Sequence, residues 1–385
     1  MRRFFLTRLF AAQYVGETKI PIKDFIRRIF FDTVGRRKEN AKWRAKVAAI
    51  DIRDCRSLLL LSFDGKLGDA ILLSSLVRAV KATAPAVRIF VATTPNLAEY
   101  WSACENIQNV FVVPSRDLSI FVRLRALRRL AGQAGLASID VALSFDPIPM
   151  IDYFAFLHWL QAEATIGLSV THYSLFRISI ADPVLEVPRR HAGERIVRTL
   201  AALGIATDLN QLKGLVPRSS EVAMQRRGKQ WAKPRIFLNG FGASVTRTFS
   251  ATQLAAVARE LSAQDSTFQL TINANAEQRT DPELRQLCAD LPSRVQLFRP
   301  DATICDLLDA IAGCVVVLTP DTGVAHGAVA TMTPLVVVFD DVEYNPICWR
   351  PLDPCALCLL PERAEPISCM PVDKILEGMR QFLVR

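Results

Sequence analysis

The order of hydrophobic and polar positions divides most of the chain into short apolar runs and stretches of helical periodicity. The apolar runs fall at 57–63, 88–92, 110–113, 140–144, 235–239, 268–272, 295–298, 314–319 and 335–339. Runs of this length and composition are typical of strands in a parallel sheet that helices cover on both faces. The alternation therefore predicts an α/β fold built on doubly wound parallel sheets.

The same pattern starts twice, which predicts two sheet domains in a chain of 385 residues. We place a first domain at 57–215 and a second at 235–370, joined by a linker at 216–234 that contains proline, arginine and paired serines. Residues 371–385 repeat apolar side chains at helical spacing, so they predict a C-terminal helix with one face buried. Residues 1–56 form a separate N-terminal arm.

The turn around Asp321, Thr322 and Gly323 lies between an apolar run and a small-residue helical segment. Asp321 or Thr322 can cap the helix, and Gly323 lets a ligand approach the backbone. The free N–H groups at a helix N-terminus bind anions, so this turn is a candidate phosphate site. By spacing alone, a capped helix without a ligand is an equal alternative. His326, about one helical turn further on, either faces that ligand or packs in the interior.

Two more polar turns follow strands of the second domain, at 239–248 and 273–277. Because the carboxyl ends of parallel strands share one edge of a sheet, Arg247 and Glu277 can converge with Asp321 on one ligand. An arginine beside a helix N-terminus suits phosphate, and a glutamate suits ribose hydroxyls. The alternative is that Arg247 and Glu277 are solvated turn residues.

In the first domain, the turn at 64–69 follows the first apolar run and ends at Asp69, where a helix begins. Ligands of doubly wound sheets bind beyond the carboxyl ends of the strands, which places Asp69 at a candidate site. A capping aspartate is the alternative. Gly65 and Gly68 on either side of Lys66 indicate a close approach to the backbone, although a single Gly-x-x-Gly is a weak motif.

The excess positive charge of the chain lies at its N-terminus. Residues 1–50 contain 13 lysines and arginines against 4 acidic residues, a net charge of +9 that equals the net charge of the whole chain. Residues 22–31 combine a Phe/Ile stripe with Lys23, Arg27 and Arg28, which predicts a basic amphipathic helix. Such a helix either binds an anionic membrane surface or packs on the body of the protein. No nucleic-acid motif accompanies the charge, so we expect no nucleic-acid partner.

Membrane spans and metal sites are not indicated by the pattern. No apolar run reaches the roughly 18 residues of a membrane span, and Arg8 interrupts the apolar region of a secretory signal. Nine scattered cysteines do not form a disulfide framework and favour a reducing compartment. The tail contains a single Cys-x-x-Cys, which is only half of a zinc site. We therefore expect reduced thiols and no metal at Cys348, Cys355, Cys358 and Cys369.

Several segments together resemble the bacterial lipopolysaccharide heptosyltransferases, glycosyltransferase family 9. Leu67-Gly-Asp-Ala-Ile-Leu-Leu73 resembles the N-terminal motif of that family, and Asp321-Thr-Gly-Val-Ala-His326 resembles its nucleotide-binding signature. Arg247 with Phe249 resembles its basic-aromatic step, and the segment 355–372 resembles its cysteine-bearing tail.

The resemblance begins near residue 57, runs to the end of the chain, and implies a GT-B fold, in which two Rossmann-like domains face each other and a terminal helix crosses back to the first domain. It implies inverting transfer of heptose from ADP-heptose to a lipopolysaccharide core acceptor, with Asp69 as general base and Lys66 and Gly68 on the acceptor side. The donor would bind without a metal or cofactor at Ser244, Arg247, Glu277, Asp321, Thr322, Gly323 and His326. The enzyme would be cytoplasmic and peripheral at the inner face of the inner membrane, where its acceptor is a lipid-linked glycan.

Four positions at three sites depart from the family pattern. Phe249-Ser250 stands where Trp-Pro is common, Asp340 where glycine is usual, and Lys66 where a small hydroxyl residue is usual. The first two affect the fit of the nucleotide, and the third affects the identity of the acceptor. The alternatives are a transferase for another nucleotide sugar or a protein acceptor, and a non-catalytic nucleotide-sugar-binding module. The presence of Asp69 argues against the module.

Overall fold

A computed structural model describes residues 14–15, 18–19, 50–115, 117–133, 135–136, 138–145, 151–169, 178–181, 190–227 and 233–383. Strands β1 (Tyr14–Val15) and β2 (Thr18–Lys19) pair antiparallel near the start of the chain. The predicted amphipathic helix at 22–31, and with it most of the predicted membrane-binding arm, lies outside the described residues. Among the helices that are described, none combines the length and apolarity that crossing a bilayer requires.

The first domain is built on a six-stranded parallel sheet in the order β5-β4-β3-β6-β7-β8. Its strands are β3 (Ser57–Ser62), β4 (Arg88–Thr93), β5 (Asn109–Val112), β6 (Val141–Ser144), β7 (Ala164–Ser169) and β8 (Ile178–Ala181). Its helices are α1 (Leu67–Thr83), α2 (Pro95–Ala103), α3 (Ile120–Ala131), α4 (Ile151–Leu160) and α5 (Glu194–Ala202). The strand order reverses beside β3, and ligand sites of such sheets form at this switch point.

The second sheet repeats the topology in the order β11-β10-β9-β12-β13-β14, again fully parallel. Its strands are β9 (Arg235–Asn239), β10 (Gln269–Asn273), β11 (Val295–Leu297), β12 (Val316–Pro320), β13 (Leu335–Val338) and β14 (Ala356–Leu359). Helices α6 to α13 are Arg218–Arg227, Ala251–Gln264, Ala276–Thr280, Pro282–Asp290, Ile304–Ala312, Gly323–Ala330, Asn345–Trp349 and Val372–Leu383. Two parallel-sheet α/β domains confirm the predicted fold class.

The apolar run of β3 is continuous because both faces of the strand are buried. Leu58 and Leu60 point into one core, which α1 covers, while Leu59 and Leu61 point into a second core on the opposite face. All four side chains are at most 1% exposed. Full burial of each leucine contributes about 1.5–3 kcal/mol, so β3 is a rigid base for the turn that follows it.

The segment between the two sheets contains a helix. α6 occupies much of the predicted linker at 216–234 and packs on α10. Ser219 and Ser220 of α6 donate their hydroxyl groups to Asp309 of α10, at Oγ–Oδ1 distances of 2.9 and 2.6 Å. Residues 218–227 of the predicted linker are therefore a helix packed on the second domain.

The C-terminal helix α13 packs on the second sheet, against β12, β13 and β14, and on α7. Its buried apolar residues join the core of that domain; they are Ile375, Leu376 and Met379. Gly378 lets the helix approach β14 closely, since a Cβ atom there would lie 3.0 Å from Leu357 Cδ2. The prediction that this helix crosses back to the first domain is wrong. The apolar stripe is buried by the nearest apolar surface, which belongs to its own domain.

The two domains contact each other through helices. α1 packs on α11, and α2 packs on α10. One continuous core cluster contains Ile71 and Leu76 of α1 together with Leu308 of α10 and Val324 of α11. Hydrophobic burial therefore holds the N-terminal end of α1 against that of α11, and this contact positions the candidate site.

Candidate active site

The turn between β3 and α1 depends on a glycine. Gly65 has a φ of +75°, a conformation that other residues rarely adopt. Its carbonyl oxygen accepts a hydrogen bond from Asn96 Nδ2 at 2.8 Å, and Asp64 Oδ1 accepts one from the Lys66 amide at 3.2 Å. α1 starts directly after this turn, so Asp69 lies in its first helical turn at the carboxyl end of β3.

Asp69 has a basic neighbour, Lys66, and an acidic neighbour, Asp64. Its side chain is 30% exposed, and its Oδ2 atom lies 3.9 Å from Lys66 Nζ. Burial, together with a hydrogen bond to Asp69 and the charge of that residue, raises the pKa of Asp64 to about 8. Asp64 is therefore mostly protonated at pH 7, and its carboxyl group can donate a hydrogen bond to Asp69.

Thr322 caps the N-terminus of α11. Its hydroxyl accepts a hydrogen bond from the Val324 amide at 3.2 Å and lies 3.1 Å from the hydroxyl of Thr319, at the end of β12. Asn239, at the end of β9, donates from Nδ2 to Thr319 Oγ1 at 2.9 Å. These bonds hold α11 at the strand ends. The first N–H groups of a helix have no intrahelical partner, so this end carries a partial positive charge.

Arg247 lies against the same turn. Its Nη1 atom is 3.3 Å from Asp321 Oδ2 and 3.3 Å from the Asp321 carbonyl oxygen, and its Nε atom donates to Ser244 Oγ at 3.4 Å. The Asp321 side chain is 7% exposed. Burial raises the pKa of Asp321 to about 6, although the charge of Arg247 opposes that shift. Ser244, Arg247, Asp321 and Thr322 are thus brought together.

The two halves of the site meet where the N-termini of α1 and α11 touch. A Cβ atom on Gly68 would lie 2.7 Å from His326 Cδ2, and one on Gly323 would lie 3.0 Å from the Gly68 amide nitrogen. A methyl group at position 68 would therefore push the two helices apart. With glycine there, Asp69 lies next to the N-terminal end of α11.

His326 is partly buried at this contact. Its ring meets the ring of Trp349 edge-on, with centroids 6.3 Å apart and planes at 87°. Burial lowers the pKa of His326, and the negative charge of Asp69 opposes the shift. The imidazole is therefore neutral at pH 7, and it can donate one hydrogen bond and accept another.

The structure does not bring Glu277 into this cluster. Glu277 is exposed on the short helix α8, and within the described residues nothing hydrogen-bonds or ion-pairs with its carboxylate. The neighbouring Gln278 is buried, and its Nε2 atom donates to the carbonyl oxygens of Gly240 and Phe249 at 2.9 and 2.7 Å. Gln278 therefore joins the turns after β9 and β10, and a role for Glu277 in donor binding stays a prediction.

Comparison with protein families identifies the chain. The profile of glycosyltransferase family 9 (heptosyltransferase) matches residues 155–375, which is more than half of the chain. The chain belongs to glycosyltransferase family 9. The matched segment includes every predicted donor residue, whereas the turn that holds Asp69 precedes it. A comparison with curated protein sequences gives no match.

Solved structures share the fold of this glycosyltransferase. The family 9 glycosyl transferase from Veillonella parvula DSM 2008 has a TM-score of 0.68 and 17% identity, covering 87% of this chain and 98% of that chain. E. coli ADP-heptose LPS heptosyltransferase II has a TM-score of 0.67 and 15% identity, covering 85% of this chain and 98% of that chain. E. coli heptosyltransferase WaaC with ADP has a TM-score of 0.65 and 15% identity, covering 84% of this chain and 99% of that chain. The predicted GT-B fold and family resemblance are confirmed.

The cysteine-bearing tail of the glycosyltransferase contributes a strand. Cys358 lies in β14, at the edge of the second sheet, while Cys355 and Cys369 are exposed and Cys348 is buried. All four are free thiols, and burial raises the pKa of Cys348 and of Cys358. Across the described residues, no three His, Cys, Asp or Glu side chains are grouped as metal ligands.

Three residues that the sequence pattern did not single out organise this site: Asp64, Asn239 and Gln278. Each is polar and lies at the end of a strand or shortly after it, which is a position where polar side chains collect at the ligand edge of a parallel sheet. That signal identifies the edge but does not identify which side chain faces the ligand and which one joins two turns.

Proposed function

We propose that this glycosyltransferase transfers heptose from ADP-heptose to a lipopolysaccharide core acceptor, with inversion at the anomeric carbon. One observation carries the proposal: Asp69 directly follows Gly68 at the contact between α1 and α11, where its charge acts on His326, and Arg247 lies beside the N-terminus of α11. A base and an anion-binding end are thus adjacent. The solved structures of heptosyltransferases with ADP and with ADP-2-deoxy-2-fluoro heptose support the choice of donor.

In the proposed reaction, the oxygen of the acceptor hydroxyl attacks the anomeric carbon while Asp69 accepts the proton of that hydroxyl. The bond between that carbon and the diphosphate oxygen breaks, and the electron pair leaves with ADP. The leaving diphosphate is stabilised by the N–H groups of Thr322 and Gly323 and by Arg247. These groups are held in place before the reaction, since Asp321 binds Arg247 and Thr322 caps α11.

The acceptor side is formed by Lys66 and Gly68. Lys66 is 75% exposed and ends 3.9 Å from Asp69, so its charge is available to an anionic acceptor such as a phosphorylated, lipid-linked glycan. His326 faces Asp69 across the Gly68 contact and, as a neutral imidazole, can hydrogen-bond to the transferred sugar. The proposed location is the cytoplasmic face of the inner membrane, with residues 1–50 as one contact to anionic lipid.

A donor panel tests the proposal. Purified protein is given ADP-heptose, UDP-, GDP- and CMP-sugars, each with a delipidated core acceptor, and the product is followed by mass spectrometry. We expect transfer from ADP-heptose alone, with an inverted anomeric configuration in the product. Turnover of another nucleotide sugar would favour the alternative transferase. Donor binding without any turnover would favour the binding module.

The departure at Asp340 gives the alternative donor a physical basis. Asp340 Oδ2 accepts a hydrogen bond from Thr246 Oγ1 at 2.6 Å, which places a carboxylate beside the turn that holds Ser244 and Arg247. A second negative charge there weakens diphosphate binding or selects a different nucleotide. In the panel, Asp340→Gly should therefore strengthen ADP-heptose use if the Asp340 charge acts against that donor, and unchanged use would remove Asp340 from donor selection.

A further inference from the structure

An exposed apolar cluster lies at the N-terminal end of α3. Phe121 is 80% exposed and Val122 is 51% exposed, and Leu118 and Ile120 beside them are exposed as well. Single exposed apolar residues are ordinary on a protein surface. Four of them within five consecutive positions form a patch, and such patches mark surfaces that contact another molecule.

The same side of α3 carries arginines. Helical spacing places Arg125 four residues after Phe121 and three after Val122, with Arg128 and Arg129 one turn further along. All three arginines are exposed. Within the described part of the chain, none of the three is ion-paired with a carboxylate. Together these five residues form the outer face of α3.

The opposite side of α3 is fixed inside the protein. Leu127, Leu130 and Ala131 are buried in the core that covers one face of the first sheet. Arg123 is buried and forms an ion pair with Asp152 of α4. Rotating α3 to bury Phe121 would separate Arg123 from Asp152 and leave a buried charge without its partner, which is strongly destabilising. The helix is therefore fixed in its present orientation. The outer face is therefore left for a partner.

We propose that the outer face of α3 docks on an anionic lipid bilayer. Charge selects this occupant, because α3 contains four arginines and no acidic residue. A second copy of the chain, packed symmetrically on the same surface, would bring like charges together. A helix with arginines beside phenylalanine and valine instead matches the boundary between lipid headgroups and acyl chains. Each arginine near such a surface increases partitioning about 5-fold.

The position of α3 in the fold would bring the docked membrane close to the candidate base. α3 follows β5, and only β4 separates β5 from β3, which leads to Asp69. Neighbouring strands are about 4.8 Å apart, so the carboxyl ends of β5 and β3 are about 10 Å apart. A bilayer at the N-terminal end of α3 thus lies along the same sheet edge as the candidate base. A lipid-linked acceptor would reach that edge without leaving the membrane.

This inference goes beyond the proposed transfer reaction, because it requires neither ADP-heptose nor a particular acceptor sugar. It also assigns lipid contact to residues outside the basic arm. Its test must therefore separate α3 from the arm, and it must separate vesicle binding from catalysis.

The first experiment is co-sedimentation of the full chain with vesicles of equal parts phosphatidylcholine and phosphatidylglycerol, and with pure phosphatidylcholine vesicles. The triple variant Arg125→Gln, Arg128→Gln, Arg129→Gln should bind anionic vesicles about 100-fold more weakly. Val122→Ser should also weaken binding. The matched controls are Arg226→Gln and Val222→Ser on α6, where Val222 is 46% exposed, and they should bind like the parent chain.

The second experiment places a reporter on α3 itself. Phe121→Trp should add emission that shifts to shorter wavelength with anionic vesicles and is quenched by brominated phospholipids. Val222→Trp, measured in the same way against the parent chain, should show neither effect. This readout depends on the environment of one residue, so binding through residues 1–50 cannot reproduce it.

Quenching confined to Phe121→Trp, with weaker binding of the triple variant, would establish the surface. Vesicle binding without quenching of Phe121→Trp would overturn it and assign all lipid contact to the arm. Emission of Phe121→Trp that is already at shorter wavelength than that of an exposed tryptophan before vesicles are added would also overturn it. Another part of the chain or a second copy would then cover α3. ADP affinity and transfer to a delipidated acceptor should be unchanged in the triple variant, so failure of the donor assignment would be seen separately.

Discussion

At the residue scale, the candidate chemistry depends on which carboxyl group holds a proton. Asp64 holds one at neutral pH, and Lys66 lies close to Asp69. Across the contact, Arg247 is held by Asp321 beside the cap of α11. Negative charge on one side and positive charge on the other suit a reaction in which a proton leaves an acceptor and a diphosphate leaves a donor.

Asp69→Asn should lower the rate of transfer at least about 100-fold, because the amide cannot accept the acceptor proton. Donor binding should be retained, since the base acts on the acceptor. Activity assays and calorimetry with ADP measure the two effects, and Asp301→Asn at an exposed position is the control. Turnover like that of the parent chain would remove Asp69 from the reaction.

Asp64 should make the protein less stable as the pH rises. Its pKa is about 8 in the folded chain and about 3.9 when unfolded. Between these values the folded state retains a proton that the unfolded state has lost. The free energy of unfolding therefore falls as pH increases from about 4 to about 8. Urea unfolding of the parent and of Asp64→Asn across this range should show a steeper fall for the parent, and equal slopes would contradict the assignment.

Arg247→Ala should weaken ADP binding about 10- to 150-fold, the effect of losing a hydrogen bond to a charged group. It should also raise the pKa of Asp321, because the charge that opposes the effect of burial is removed. Calorimetry with ADP measures the affinity. Arg299→Ala, which breaks an exposed ion pair with Asp306 in the same domain, is the control. Equal affinity in both variants would place Arg247 outside the donor site.

At the element scale, the site exists because two helix N-termini can touch. α1 begins after the Gly65 turn and α11 begins after the Thr322 cap, and both follow strands at a switch point of their sheets. The elements on either side of this contact have partners of their own. α13 packs on the second sheet and α6 packs on α10, so the domains remain joined at α1 and α11 without help from the terminal helix.

Gly68→Ala should destabilise the protein by about 1–3 kcal/mol, the range for overpacking a tight contact. The added methyl group would lie 2.7 Å from His326 Cδ2 and would separate α1 from α11. Transfer should fall with it, because the base moves away from the anion-binding end. Gly132→Ala at the end of α3 is the control, since a methyl group there meets its nearest atom at 3.5 Å. Urea unfolding and activity of the two variants make the comparison.

At the scale of the whole molecule, the interface between the domains is part of the hydrophobic core. The cluster that contains Leu58 and Leu60 of β3 extends through α1 to Leu308 and Val324 of the second domain. The switch points of both sheets lie beside this interface. The ligand edges of two independent α/β units therefore become one site, and the outer face of α3 lies at the membrane-accessible side of the first unit in our proposal.

The sequence by itself determined the class of fold and the edges at which the chemistry occurs. Strands buried on both faces need unbroken apolar runs, as in β3 and β12, and turns that bind anions or cap helices need glycine, threonine and aspartate at set positions. Those requirements are local, so they are visible in the pattern. Strands β7, β8 and β14 were missed because glycine, serine or cysteine interrupts their apolar pattern.

Only the tertiary structure decided which elements pack together. The stripe of α13 matches any apolar surface, and the core of the second domain was the one within reach. Gln278 and Glu277 are adjacent and polar, and packing alone buried the first and exposed the second. The contact of Gly68 with His326 and the exposure of the outer face of α3 likewise depend on residues far apart in sequence. Such contacts are determined by long-range burial and charge, which a local pattern does not contain.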